Sequence, residues 1–201
     1  MKKLPLSFYR RHDVVTIARE LLGKVLVTNW EGQCTSGRIV EAEAYAGDVD
    51  QASHAFRGRT PRTKVMFEEG GRAYVYLCYG IHQMFNIVTN KLDIPHAILI
   101  RALEPLEGID IMLERTGKKT LDHTLTRGPG NVGKALGFHT TQCGTELNSD
   151  EIYIADDGFK VSDDMLGISV RIGVEYAGKD AKLPYRFFIK GNKYVSGKKV
   201  Y

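Results

Sequence analysis

Two stretches of this chain rich in β-branched and aromatic residues each double back across a glycine turn, and they constrain the fold more than any other feature. Residues 24–30 (Lys-Val-Leu-Val-Thr-Asn-Trp) meet a turn at Glu31-Gly32 and are followed by 37–45 (Gly-Arg-Ile-Val-Glu-Ala-Glu-Ala-Tyr). Residues 72–79 turn at Gly80 and return over 82–89. Links this short join antiparallel neighbours, because a parallel pair needs a long crossover. A strand over 97–103 is expected to run into a helix opened by Pro105, with Ile109, Met112 and Leu113 turned inward and Gly117 as its stop. Residues 13–22 read as a helix capped by Asp13, and another helix follows Gly128-Pro129-Gly130. Short strands are expected near 152–155, 168–174 and 185–190, and a long polar loop over 46–70. The pattern predicts an α+β fold: one domain over 1–201 with a mostly antiparallel sheet and helices between the hairpins.

Composition narrows the function classes. With 43% hydrophobic residues in 201, the chain is rich enough to bury one continuous core. Lys and Arg number 28 against 24 Asp and Glu, a net charge of +4 that suits an anionic partner without requiring one. Cys34, Cys78 and Cys143 lie far apart, with no C-x-x-C and no histidine at ligand spacing, which argues against a zinc or iron–sulfur site. Their odd number argues against a disulfide framework and for a reducing compartment. The start, Met-Lys-Lys-Leu-Pro-Leu, resembles a signal peptide until Arg10, Arg11, His12 and Asp13 interrupt it. No window approaches 18 uninterrupted apolar residues. A cytoplasmic chain with no signal peptide and no membrane span is expected.

Four constellations could carry chemistry. In Arg38–Tyr45, strand alternation puts Ile39, Glu41, Glu43 and Tyr45 on one face and Val40, Ala42 and Ala44 on the other. Two carboxylates on one face suit a general base that deprotonates water; they equally describe an edge strand with an acidic wet face. In Tyr74-Val75-Tyr76-Leu77-Cys78-Tyr79-Gly80-Ile81, aromatics on a strand can stack an unpaired base, and Tyr79 beside the turn can wedge between base steps. Half-buried tyrosines at a core margin give the same pattern. The loop from Ser53 to Lys64 carries Arg57, Arg59, Arg62 and Lys64 among glycine and threonine, which suits phosphate oxygens and also an ordinary solvated loop. Lys190, Lys193, Lys198 and Lys199 could add to the same field. Gly128-Pro129-Gly130-Asn131-Val132-Gly133 matches G-x-G-x-x-G, but no buried parallel strand precedes it, so a helix start able to meet one phosphate is the better reading. There is no G-x-S-x-G, H-E-x-x-H or G-x-x-x-x-G-K-[ST]. The six histidines are scattered, and only His54, in the long polar loop, stands near these motifs.

Taken in order, these segments resemble the alkyladenine (3-methyladenine) DNA glycosylase family. The resemblance runs from Leu21-Leu22-Gly23-Lys24 through Gly37–Tyr45, Ser53-His54, Thr60-Pro61-Arg62, Tyr74–Tyr76, Tyr79-Gly80 and Asn86. It continues through Arg101–Gly108, Gly128-Pro129-Gly130, Arg171-Ile172-Gly173 and Pro184-Tyr185-Arg186-Phe187. It implies a monofunctional enzyme without metal or other cofactor. Such an enzyme flips alkylated or deaminated purines (3-methyladenine, 7-methylguanine, hypoxanthine) out of double-stranded DNA and hydrolyses their N-glycosidic bond, starting base excision repair. It implies Glu43 as general base and Arg101 as an arginine near the attacking water and the target phosphate. It further implies Tyr45, His54 and Tyr76 as the base sandwich, Asn86 as a pocket-floor residue that clashes with the amino group of guanine, and Tyr79 as the intercalating residue. Ile81, Arg57, Arg59, Arg62, Lys64, Gly130 and Asn131 would join the DNA contacts. Asn131 stands where many members carry lysine, and Ile81 where methionine is familiar. The implied fold is a single α+β domain with a curved, mostly antiparallel sheet flanked by helices, similar in part to the C-terminal domain of methionyl-tRNA formyltransferase, and one small domain acting on DNA implies a monomer. Two rivals remain: a non-catalytic nucleic-acid-binding module, which would not need Glu43 beside Tyr45, and a nucleosidase, which would have no use for Tyr79 or the basic loop.

Overall fold

The computed structural model describes residues 1–197; Lys198 and Lys199 of the basic C-terminal run lie outside them. In chain order the elements are β1 (Lys2–Lys3), α1 (Leu6–Tyr9), α2 (Val14–Leu21), β2 (Val25–Trp30), β3 (Gln33–Tyr45), β4 (Arg72–Cys78), β5 (His82–Thr89) and β6 (His96–Glu107). There follow α3 (Ile109–Thr116), α4 (Pro129–Ala135), β7 (Ile152–Asp156), β8 (Leu166–Ser169) and β9 (Arg186–Ile189). The strands form one antiparallel sheet in the order β1-β7-β2-β3-β6-β5-β4, with β9 joined to β3 and β8 to β9. The α+β architecture expected from the hairpins is the one observed.

Local chemistry accounts for the elements that carry the sheet. Asp13 caps α2 by accepting from the backbone N–H groups of Val15 and Thr16. Val14, Ile17, Ala18 and Leu21 then fall on one buried face at helical spacing. In the same core, α4 lies so close to β5 that a Cβ at Gly133 would stand 1.8 Å from the Gln83 carbonyl oxygen. Phe138, just beyond α4, stacks on Phe85 with ring centroids 4.3 Å apart.

The structure corrects several sequence expectations. Glu41 and Glu43 are not on an edge strand. The first half of β3 pairs with β2, its second half with β9, and β6 lines its other side. Nor does simple alternation hold along β3: the register with β6 slips around Val40, so Ile39 and Val40 both enter the core with Ala42 and Ala44. The bulge separates Ile39 from the Glu41 and Glu43 face. Pro105 does not open a helix. It ends the regular part of β6, opposite Gly37 at a second bulge, where a residue without an N–H is tolerated. The helix waits for Gly108, at φ 69°, because any Cβ there would strike the Cys34 carbonyl at 2.2 Å. Residues 46–70 are not structureless but hold three short 3-10 turns, at Gly47–Val49, His54–Arg57 and Lys64–Phe67. The strand expected over 168–174 stops at Ser169, because the next segment turns Arg171 inward.

Candidate active site

Above the acidic face of β3 lies a cavity of about 400 Å³, between β4, β5, the His54 turn and residues 172–176. That lies within the roughly 300–1,000 Å³ of small-ligand pockets. Tyr74 and Tyr76, two apart on β4, share its wall with ring centroids 5.3 Å apart. His54 meets Tyr76 edge-on at 4.6 Å, and its Nδ1 lies 2.9 Å from the Tyr74 hydroxyl. Desolvation, helped by the Arg62 charge, lowers the His54 pKa to about 4, so the ring is neutral at pH 7. Burial raises Tyr74 to about 12, which keeps its hydroxyl protonated. Asn86, across from Tyr74 in the β4–β5 ladder, lines the cavity, and its amide donates to the Tyr74 and Met84 carbonyls.

Beneath the cavity lies a buried charge network. Glu41 and Glu43 are both 0% exposed. Glu43 Oε2 accepts from the Tyr45 hydroxyl at 2.9 Å and from Arg101 at 3.2 Å, while Oε1 accepts from the Ile172 backbone N–H at 2.8 Å. Tyr45, Arg101 and Ile172 all line the cavity, so the carboxylate sits one side chain below its floor. Burial pushes the Glu43 pKa up; the Arg101 charge and the hydrogen bonds from Ile172 and Tyr45 pull against it, and the net shift is upward. Glu41 is bonded on every side: Arg101 and Arg186 donate to it at 3.1 and 2.7 Å, and the Ser196 hydroxyl and N–H at 2.9 and 2.6 Å. Asp50 pairs with Arg171, and both side chains are buried. Three carboxylates thus meet three guanidinium groups, Arg101, Arg171 and Arg186.

Such an arrangement can do two things chemically. A carboxylate accepts about four hydrogen bonds, and Oε1 of Glu43 has one lone pair beyond its bond from Ile172, enough to hold and deprotonate a water. The aromatic walls can grip a flat ring, an electron-poor one best. Among the described residues no cluster of three His, Cys, Asp or Glu side chains could hold a metal ion.

The remaining residues singled out from the sequence lie around the rim. Tyr79 and Gly80 are the central residues of the turn between the paired Cys78 and His82, both at positive φ (50° and 71°), closed by a bond from Ile81 N–H to the Cys78 carbonyl. The turn holds the Tyr79 side chain 91% exposed, with Ile81 exposed beside it. Arg57, Arg62 and Lys64 are exposed, and Arg62 lies 4.8 Å over the outer face of Tyr76. Arg59 is exposed too, but is ion-paired with Asp93. Gly130 packs against the His82 ring at the start of α4. The Asn131 amide turns back into the protein, donating to the Thr124 and Arg127 carbonyls. Sequence reasoning assigned no role to Asp50, Arg171, Ile172, Arg186 or Ser196. An available signal was Arg186 in the otherwise apolar Tyr185–Ile189 run, since an arginine in a buried strand requires a carboxylate partner.

Known proteins resemble this chain over nearly its whole length. The family model described as methylpurine-DNA glycosylase (MPG) matches residues 7–193. A protein of Chlamydia abortus is 46% identical over 188 residues, covering 92% of this chain and 97% of its own length. One from Desulfitobacterium hafniense is 42% identical, covering 98% and 100%, and one from Clostridium acetobutylicum is 43% identical, covering 96% and 97%. All three carry provisional names as 3-methyladenine DNA glycosylases.

Proposed function

The chain belongs to the methylpurine-DNA glycosylase family, DNA glycosylases that hydrolyse N-glycosyl bonds, and from that premise we propose that it excises alkylated or deaminated purines from duplex DNA by water attack at C1′. The observation that carries this reading is a buried, donor-held carboxylate directly under an aromatic cavity wide enough for a purine. A damaged base must first leave the stack, which costs a few kcal/mol and least where pairing is already weak. Tyr79, at the tip of the hairpin, fills the gap, with Ile81 beside it. Tyr45, His54 and Tyr76 hold the extruded ring, and Asn86 on the cavity floor rejects the amino group of guanine. Glu43 takes a proton from the water as its oxygen bonds to C1′. The electron pair of the broken bond goes to the purine nitrogen: an N-alkylated purine, already cationic, leaves neutral, and hypoxanthine leaves as an anion that takes up a proton from water.

The other residues serve charge and grip. Arg101 has five N–H groups, of which three donate to Glu41, Glu43 and Ser196; the other two are available to the water or the target phosphate. Arg57, Arg62 and Lys64 meet the DNA backbone, with Arg59 a weaker contributor while Asp93 holds it. Gly130 and Asn131 act through their first-turn N–H groups, since the Asn131 side chain is engaged elsewhere. The chain acts as one domain and as a monomer.

The test is base release from end-labelled duplex carrying hypoxanthine or methylated purines, by wild type and Glu43→Gln in parallel. Wild type releases the base, and Glu43→Gln is slower by about 100- to 10,000-fold, the range for general acid–base catalysis. Equal release by both would remove Glu43 from the chemistry. No release by either, with tight duplex binding, would favour a binding module instead.

A further inference from the structure

The groups that bond Glu43 are themselves held, and one side chain holds two of them. Arg171 does not touch Glu43. Its guanidinium pairs with both oxygens of Asp50, donates to the Ala44 and Asp180 carbonyls at 2.9 and 3.0 Å, and lies 4.7 Å over the Tyr45 ring. Asp50 in turn accepts from the N–H groups of Ala46 and Ala52, so the pair ties the end of β3 to the segment after β8. Buried ion pairs contribute little to stability compared with apolar residues of similar volume, so this one invites another explanation.

Its geometric effect is specific. Ile172, next in the chain after Arg171, presents its N–H to Oε1 of Glu43. Tyr45, the ring under the guanidinium, presents its hydroxyl to Oε2. Each Glu43 oxygen therefore takes a donor whose place is set by Arg171. Resting on the reading of Glu43 as general base, we infer that Arg171, clamped by Asp50, is a positioning residue for the hydrolysis: it aims the Glu43 carboxylate through Ile172 and Tyr45.

The charged and titratable groups facing Glu43 are Arg101 from β6, Arg186 across the ladder on β9, Glu41 and Tyr45 on β3, Arg171 behind Tyr45, and Tyr176 from the segment after Ile172. Burial and Glu41 push its pKa up; Arg101, the Ile172 N–H and the Tyr45 hydroxyl pull it down. Loosening the last two raises it further. Release that needs ionised Glu43 then fails at a higher pH.

The experiment measures single-turnover hypoxanthine release against pH for wild type, Arg171→Lys, Asp50→Asn and Glu43→Gln, with a melting curve for each. Arg171→Lys keeps the charge but loses the two-pronged grip on Asp50. Its maximal rate is expected to fall about 100-fold, as for misplaced catalytic groups. The enzyme concentration at half-saturation stays unchanged, and the acid limb moves up by about one pH unit. Asp50→Asn shifts the limb the same way by less, and it gives the reading should Arg171→Lys not fold. A folded variant that is slower with its acid limb in place would reduce Arg171 to a support of the fold and overturn the inference. Wild-type release by Glu43→Gln would instead sink the general base, so the two failures are distinct.

Discussion

At the floor of the aromatic cavity three carboxylates and three guanidinium groups are buried together; at its rim Arg57, Arg62 and Lys64 stand exposed beside an exposed tyrosine. Both regions are rich in arginine, yet the environments are opposite. Each buried arginine needs a counter-charge, because an unpaired charge away from water is very costly. An exposed cation is already solvated and can exchange its counterions for phosphates. The floor is therefore suited to holding one carboxylate in one orientation, and the rim to gripping a polyanion of any sequence. Arg62 belongs to the rim but reaches over Tyr76 of the cavity wall while remaining open to solvent.

The comparison can be broken most sharply at Glu41. Glu41→Gln leaves Arg101 and Arg186 short of a counter-charge, and the loss of folding stability is expected to be about 3–5 kcal/mol by denaturant titration. A loss below about 1 kcal/mol, the worth of an exposed pair, would mean that the floor is not the tightly matched network described.

Tyr79 offers the reverse case. Tyr79→Gly removes the side chain and relieves a left-handed backbone that disfavours tyrosine. Lesion-duplex binding should weaken by about 1–3 kcal/mol, while folding stability changes by less than about 1 kcal/mol. A large fall in stability with unchanged binding would assign the tip to the fold.

The smallest effect sharpens the rim itself. Lys64→Ala should lessen the slope of log affinity against log salt by about 0.9, the value for one lost phosphate contact. Arg59→Ala, already paired with Asp93, should lessen it by a smaller amount. Identical slopes in both variants and wild type would remove this loop from the DNA-binding surface.

Much of the fold is legible along the chain because its signals are local. The Asp13 cap and the apolar spacing of α2 set that helix, and the turns at Glu31-Gly32 and Tyr79-Gly80 set two hairpins. Tyr74, Tyr76 and Tyr79 fall on the cavity wall and the tip as strand alternation and turn position suggest. What failed was also specific. Pro105 carries a helix-start signal, but pairing with β3 across a bulge prevailed. The Ile39–Tyr45 alternation broke at Val40 for the same reason.

By itself the sequence determined the antiparallel α+β frame and the ordered motifs of the family, and it placed two acids, Glu41 and Glu43, beside Tyr45. Only the tertiary structure decided that these acids lie under a cavity rather than on a wet edge. It also decided which arginines are spent on carboxylates and which face outward, because those partners sit far apart in the chain: Glu41 with Arg186 and Ser196, Asp50 with Arg171, Glu43 with Ile172. Hydrogen-bond caps and turns act over a few residues and leave their mark in the local sequence. Charge pairing in a core depends on which strands become neighbours, and no short stretch of sequence records that.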